Sequence, residues 1–129
     1  MKKKLFILIV FLSSIITYAQ FIPAPESLIF NKGHFVLDAN VGVVVKSFKT
    51  FEISKLTNYL IDKIETETSV RISSKKENNT NILLELLSKP NKNLGDEGYL
   101  LNISTTEIYI VANSNAGLFY GVQSLLQYI

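Results

Sequence analysis

Phe51 to Thr68 is the clearest periodic stretch of the chain. Ile53, Leu56, Leu60 and Ile64 recur at spacings of three and four, with Tyr59 beside them. Lys55, Asp62, Lys63, Glu65 and Glu67 take positions off that stripe, so the pattern predicts an amphipathic helix. Thr66, Thr68 and Ser69 are expected to end it. Before it, Ser27–Asn31 and His34–Leu37 flank the turn signal Asn31-Lys32-Gly33 and read as a hairpin. Val41–Lys46 is largely β-branched and makes a third strand. After the helix, strands are expected at Val70–Ile72, Ile82–Leu87, Gly98–Ser104 and Ile108–Ala112. The last of these alternates, with Ile108, Ile110 and Ala112 on one face and Tyr109 and Val111 on the other. Ser73–Asn81 lacks apolar side chains and reads as a loop, and Lys89–Asn93 reads as another.

The final element carries the most information. Asn113, Ser114 and Asn115 offer helix caps, and "AGLFYGVQSLLQYI" follows. Leu118, Val122, Leu125 and Ile129 are predicted to share one helix face, with Phe119 and Leu126 at its flanks. Gly117 and Gly121 lie four apart and stack on one side of that helix. Glycine inside a helix costs roughly 0.5–1 kcal/mol relative to alanine. Two of them point to a close neighbour, either a strand of the same sheet or a second domain. Strands, helix, strands and helix in that order predict an α+β fold, a mostly antiparallel or mixed sheet with two helices on one face. The chain stops on apolar Ile129 without a helix-closing glycine or basic residue, so it reads as a fragment of a longer protein.

The first residues, MKKKLFILIVFLSSIITYAQ, are of another kind. Lys2, Lys3 and Lys4 precede an apolar run from Leu5 to Ile16, and Thr17 and Ala19 place small residues before Gln20. This is the three-part pattern of a secretory signal peptide, residues 1–19, cut between Ala19 and Gln20. The run is shorter than the roughly 20 apolar residues of a membrane span. Residues 20–129 are then one exported domain, periplasmic or secreted. Without the three lysines the formal charge of +2 becomes −1. The basic balance therefore belongs to the export signal, and no polybasic stripe marks a nucleic-acid or membrane partner. There is no cysteine, which excludes thiolate metal sites and cysteine nucleophiles. The single histidine, His34, is a poor start for a zinc site.

The candidate chemistry is "LGDEGY", where Asp96 and Glu97 stand side by side between glycines. Paired carboxylates serve glycosidases. A pair that follows an Asn/Lys/Pro loop and is flanked by glycines also fits an exposed turn, which is the expectation here. His34 is expected half exposed in its hairpin. Tyr109, Tyr120 and Tyr128 with Phe119 are candidates for a sugar platform, weighed against core or inter-domain packing. Asn78-Asn79-Thr80 and Asn102-Ile103-Ser104 match the glycosylation pattern, which is short and frequent by chance.

Gly95, Glu97, Gly98 and Tyr99, followed by Ala116 to Gly121 and by Gln123, Ser124 and Leu125, closely resemble the end of the N-terminal domain of glycoside hydrolase family 20. "IPAPESL", Ile22 to Leu28, resembles the opening of the same domain. The resemblance implies a β-N-acetylhexosaminidase in which this small α+β domain packs against a following (β/α)8 barrel. In that family the acetamido oxygen of the sugar attacks, an Asp orients it and an adjacent Glu is the general acid/base. That pair lies at a barrel strand end, typically after His-x-Gly-Gly. Here Asn93-Leu94-Gly95 precedes the acids, no histidine follows and there is no tryptophan. The implied partners are the catalytic barrel of the same polypeptide and the glycan it binds. No residue of this chain is expected to perform chemistry, and no cofactor or metal is implied. A stand-alone carbohydrate-binding or adhesion module, or the equivalent domain of another glycosidase family, is the alternative.

Overall fold

The computed structural model describes residues 29, 32–47, 50–74 and 80–129. The elements are β1 (Val41–Val45), α1 (Phe51–Thr68), β2 (Thr80–Leu86), β3 (Tyr99–Ile103), β4 (Glu107–Ala112) and α2 (Asn115–Leu126). They form an α+β domain with one mixed sheet, in the order β1-β2-β4-β3. β1 pairs with β2 and β2 with β4 in parallel, and only β3 with β4 is antiparallel. Parallel neighbours need a long crossover, which α1 supplies between β1 and β2. A three-residue turn suffices between β3 and β4.

The central strands explain their own composition. β2 and β4 have a neighbour on each side. Leu83 and Val111 are buried on one sheet face, and Ile82, Leu84, Ile108 and Ile110 on the other. Burial on both faces favours continuous apolar runs over alternation. β3 is flanked only by β4 and does alternate. Tyr99, Leu101 and Ile103 turn towards the core, while Leu100 and Asn102 are exposed.

The helices cover one face of this sheet. Ile53, Leu56, Leu60 and Ile64 of α1 join Leu118, Val122 and Leu125 of α2 above Val41, Val43, Ile82, Leu84, Ile108, Ile110 and Ala112. Each fully buried aliphatic side chain contributes roughly 1.5–3 kcal/mol. α1 matches the sequence expectation at both ends. Thr50 caps its start by accepting from the Ile53 N–H, and Ser69 ends it in the left-handed conformation at φ 61°. Among the described residues no helix is long and apolar enough to cross a membrane.

Several sequence expectations are corrected. His34–Leu37 adopts no strand, although Phe35 and Leu37 still pack against the core. Its expected partner Ser27–Asn31 lies outside the described residues except for Ile29, which is exposed and not in a strand. Val70–Ile72 is not a strand either. Only Ser73 makes a single parallel bridge, to Gly42. β2 begins at Thr80, inside the stretch expected to be loop, because parallel pairing with β1 holds its polar start in the ladder. α2 stops at Leu126, so Ile129 leaves the helix face predicted for it and is exposed. The signal-peptide residues and Asn78-Asn79 lie outside the described residues.

Ser69 holds a left-handed backbone that costs a non-glycine residue roughly 1–2 kcal/mol. Ser69→Gly is expected to raise the unfolding free energy by about 0.5–1 kcal/mol after the added entropy of the unfolded chain, read as a higher urea midpoint. An unchanged or lower midpoint would count against this account of the cap.

Candidate functional site

Asn91 to Tyr99 and the start of α2 meet at one end of the sheet. Gly95 takes φ 61°, which lets the chain reverse direction just before the two acids. Asp96 and Glu97 are both exposed. Their backbone carbonyls face the helix. The Ser114 hydroxyl donates to the Asp96 carbonyl and accepts from the Gly117 N–H at 3.2 Å, so one side chain caps α2 and ties it to the turn. The Asn113 amide donates to the carbonyls of Asn91 at 2.8 Å and Gly95 at 2.6 Å. Its oxygen accepts from the Asn91 N–H at 2.8 Å. The acidic turn is thus held by its main chain, while Asp96 and Glu97 are exposed.

The two helix glycines complete the seat. A methyl group at Gly117 would overlap the Gly98 carbonyl oxygen and come within 3.2 Å of the Glu97 carbonyl. One at Gly121 would strike the Ile110 side chain and approach the Tyr99 ring at 3.2 Å. Of the expected neighbours, the same domain supplies one at both positions: the turn before β3 with the end of β4 at Gly117, and strands β4 and β3 at Gly121. Tyr99 then reaches under the helix, where its hydroxyl and that of buried Ser124 share a hydrogen bond. The motif residues Gly95, Gly98, Tyr99, Gly117, Gly121 and Ser124 therefore form one joint between β3 and α2.

The remaining candidates are scattered. His34 is exposed, not half exposed as expected. Tyr128 is exposed beyond the end of α2. Asn102 is exposed on β3. Tyr109 lies on the sheet face away from the helices, donates to the Glu85 carboxylate and has the Lys46 ammonium 4.8 Å from its ring centre. Burial, with the Glu85 hydrogen bond and charge behind it, pushes the Tyr109 phenol up to about 12. Phe119 and Tyr120 sit on α2 with ring centres 6.0 Å apart, and Tyr59 of α1 lies 6.3 Å from Phe119. The Gln123 amide donates to the Tyr59 hydroxyl at 3.1 Å. Sequence reading placed Tyr59 beside the α1 stripe but did not foresee this pairing, since only the packing of α1 beside α2 brings the two side chains together.

Comparison with known proteins gives these features a context. Residues 18–129 match the family model described as glycosyl hydrolase family 20, domain 2. The GH20 β-N-acetylhexosaminidase of Streptomyces coelicolor A3(2) superposes with a TM-score of 0.67 at 31% identity, over 82% of this chain. The N-acetyl-β-hexosaminidase of Streptomyces plicatus gives 0.65 at 28% identity over the same share. The chain spans only 20% of each of those two proteins. A GH138 enzyme targeting pectin rhamnogalacturonan II shares the fold at a TM-score of 0.54 and 20% identity, over 68% of this chain and 10% of that one. No curated protein matches the chain.

Two outcomes are expected. Gly117→Ala gains helix propensity but overpacks a backbone contact, a change that costs about 1–3 kcal/mol. Thermal unfolding should show a net loss of stability, and an unchanged or raised midpoint would contradict the seat described above. The second concerns Tyr109. Its folded pKa lies above the ordinary phenol value of about 10, so its neutral form contributes stability that is whole below that pH and lost as pH rises through about 12. Absorbance titration at about 295 nm should find a phenol that ionises late, and Glu85→Gln should lower its pKa.

Proposed function

The chain belongs to glycosyl hydrolase family 20, its residues 18–129 making up domain 2 of that family, and we propose that it is the non-catalytic accessory domain of an exported β-N-acetylhexosaminidase. In this reading the catalytic barrel of the same polypeptide binds the glycan and removes terminal N-acetylhexosamine from glycans or chitooligosaccharides. The acetamido group of the substrate acts as nucleophile and the configuration is retained. The observation that carries the reading is the continuity of the match. It runs through the whole described domain and includes the joint of Gly95, Gly98 and Tyr99 with Gly117 and Gly121. Export rests on the pattern of residues 1–19, with cleavage between Ala19 and Gln20.

Asp96 and Glu97 have no catalytic part in this proposal. A general acid of a glycosidase needs a pocket that excludes water and shifts its ionisation, whereas both side chains here are exposed. What the turn supplies is backbone, spent on the cap of α2.

Expression of the parent polypeptide should give a secreted enzyme that releases the chromophore from a 4-nitrophenyl N-acetyl-β-hexosaminide. An inactive parent sinks the reading. In that parent, Asp96→Asn with Glu97→Gln should leave kcat within about twofold, whereas loss of a true acid/base pair costs 10²-fold or more. A thousandfold fall in a folded variant would move the chemistry to this turn.

A further inference from the structure

Of the four aromatic side chains that the sequence offers as a sugar platform, Tyr109 alone stands on the sheet face that neither helix covers. The register sets its neighbours. Tyr109 lies opposite Leu83 of β2 and Asn102 of β3, and Glu85 and Leu100 stand two residues further along the same face. Side chains opposite or diagonal to one another across a ladder are within reach. Leu83 and Val111 are buried here although no helix lies over them, so side chains of the sheet itself shield them. Tyr109 is one such side chain. With its hydroxyl donated to Glu85, its ring leans across β2.

The ring is open to groups that come from solvent. The exposed Lys46 side chain already uses it, with its ammonium 4.8 Å from the ring centre. Three kinds of hydrogen-bonding group stand around the ring. Glu85 spends one carboxylate oxygen on the phenol, and a carboxylate accepts several donors. Asn102 presents an exposed amide that both donates and accepts, and Lys46 donates. A fixed aromatic surface with a few polar groups converging on it is the make-up of a small-ligand site. Charge narrows the ligand. Glu85 and Glu107 both act on Tyr109, against the single positive charge of Lys46. An anion is repelled there, while a neutral ligand with hydroxyl and amide groups is not.

We propose that this face is a subsite for a neutral glycan, a run of N-acetylhexosamine units, with one sugar ring stacked on Tyr109 and its hydroxyl and acetamido groups held by Glu85, Lys46 and Asn102. The ammonium of Lys46 moves off the aromatic ring to the rim of the sugar as it binds. The size of the patch fits this occupant. A free protein partner needs an interface of about 1,000 Å² or more, and the patch is a handful of side chains. The identity of the sugar rests on the enzymatic reading above, whereas the platform rests on the side chains alone. Such a subsite holds the polymer while terminal units are removed elsewhere in the parent polypeptide.

The test measures partition of the full-length parent onto chitin particles. Tyr109→Ala should lower the partition roughly tenfold, and Tyr109→Phe, which keeps the ring, should retain most of it. Asn102→Ala, a change at an exposed position, should lower it about threefold. Tyr128→Ala removes a tyrosine 53% exposed outside the site and should bind as the unaltered parent. On polygalacturonate, whose carboxylates meet Glu85 and Glu107, Tyr109→Ala should change nothing. Circular dichroism checks each fold, and if Tyr109→Ala does not fold, Asn102→Ala decides. The proposal is overturned if Tyr109→Ala and Tyr128→Ala bind chitin alike, or if folded Asn102→Ala matches the parent. It is equally overturned if Tyr109→Ala loses as much on polygalacturonate, or if it turns a dimeric parent into a monomer and so marks a contact between copies. Hexosaminidase activity of the unaltered parent is followed in parallel. Its absence would remove the enzymatic reading, while the chitin partition would still decide the subsite.

Discussion

The fit of α2 against the turn before β3 depends on a carbonyl oxygen lying where a side chain would otherwise be. Gly98 presents that oxygen to Gly117, and the helix can approach only because nothing projects from its backbone there. The approach brings Ser114 and Asn113 within reach of the turn, and their hydrogen bonds close three stretches of main chain around one helix end. It also lowers Tyr99 beneath the helix to meet Ser124. At this helix start the Gly117 N–H, otherwise without an intrahelical acceptor, is satisfied by Ser114, which also fixes the helix direction.

This contact gives the paired acids a structural meaning. Glycines on either side of Asp96 and Glu97 serve the backbone path, through the left-handed Gly95 and the close-packed Gly98. The acids themselves occupy the outside of the bend. In three dimensions the backbone of this motif also aims a helix, through the Gly95 and Asp96 carbonyls. The aimed helix then keeps Leu118, Val122 and Leu125 against the sheet, with Phe119 at the flank of that face.

Local features of the fold were legible and long-range ones were not. The α1 stripe of Ile53, Leu56, Leu60 and Ile64, with Thr50 and Ser69 at its ends, is complete within its own segment. Its bounds could be read directly. The strand character of Thr80 and Asn81 could not, because it comes from pairing with Val41 and Gly42 some forty positions earlier. The same dependence on a distant partner misleads at His34–Leu37, where alternation exists but no ladder forms. The two glycines of α2 announced a close neighbour, but not that it is the turn before β3 at Gly117 and the Ile110 and Tyr99 side chains at Gly121. Gln123 and Tyr59, 64 positions apart, meet only because the helices lie side by side.

The parallel pairing also sets a timetable for assembly. β2 must find β1 before it and β4 after it, and both meetings close long loops whose entropy is lost before any ladder bond compensates. The first can form once the chain has passed Leu86, but the other side of β2 stays open until Ala112 has been made. A chain of this design therefore carries an apolar central strand half-clad during most of the domain's synthesis, and it becomes safe from sticking to its neighbours only near the end of the domain.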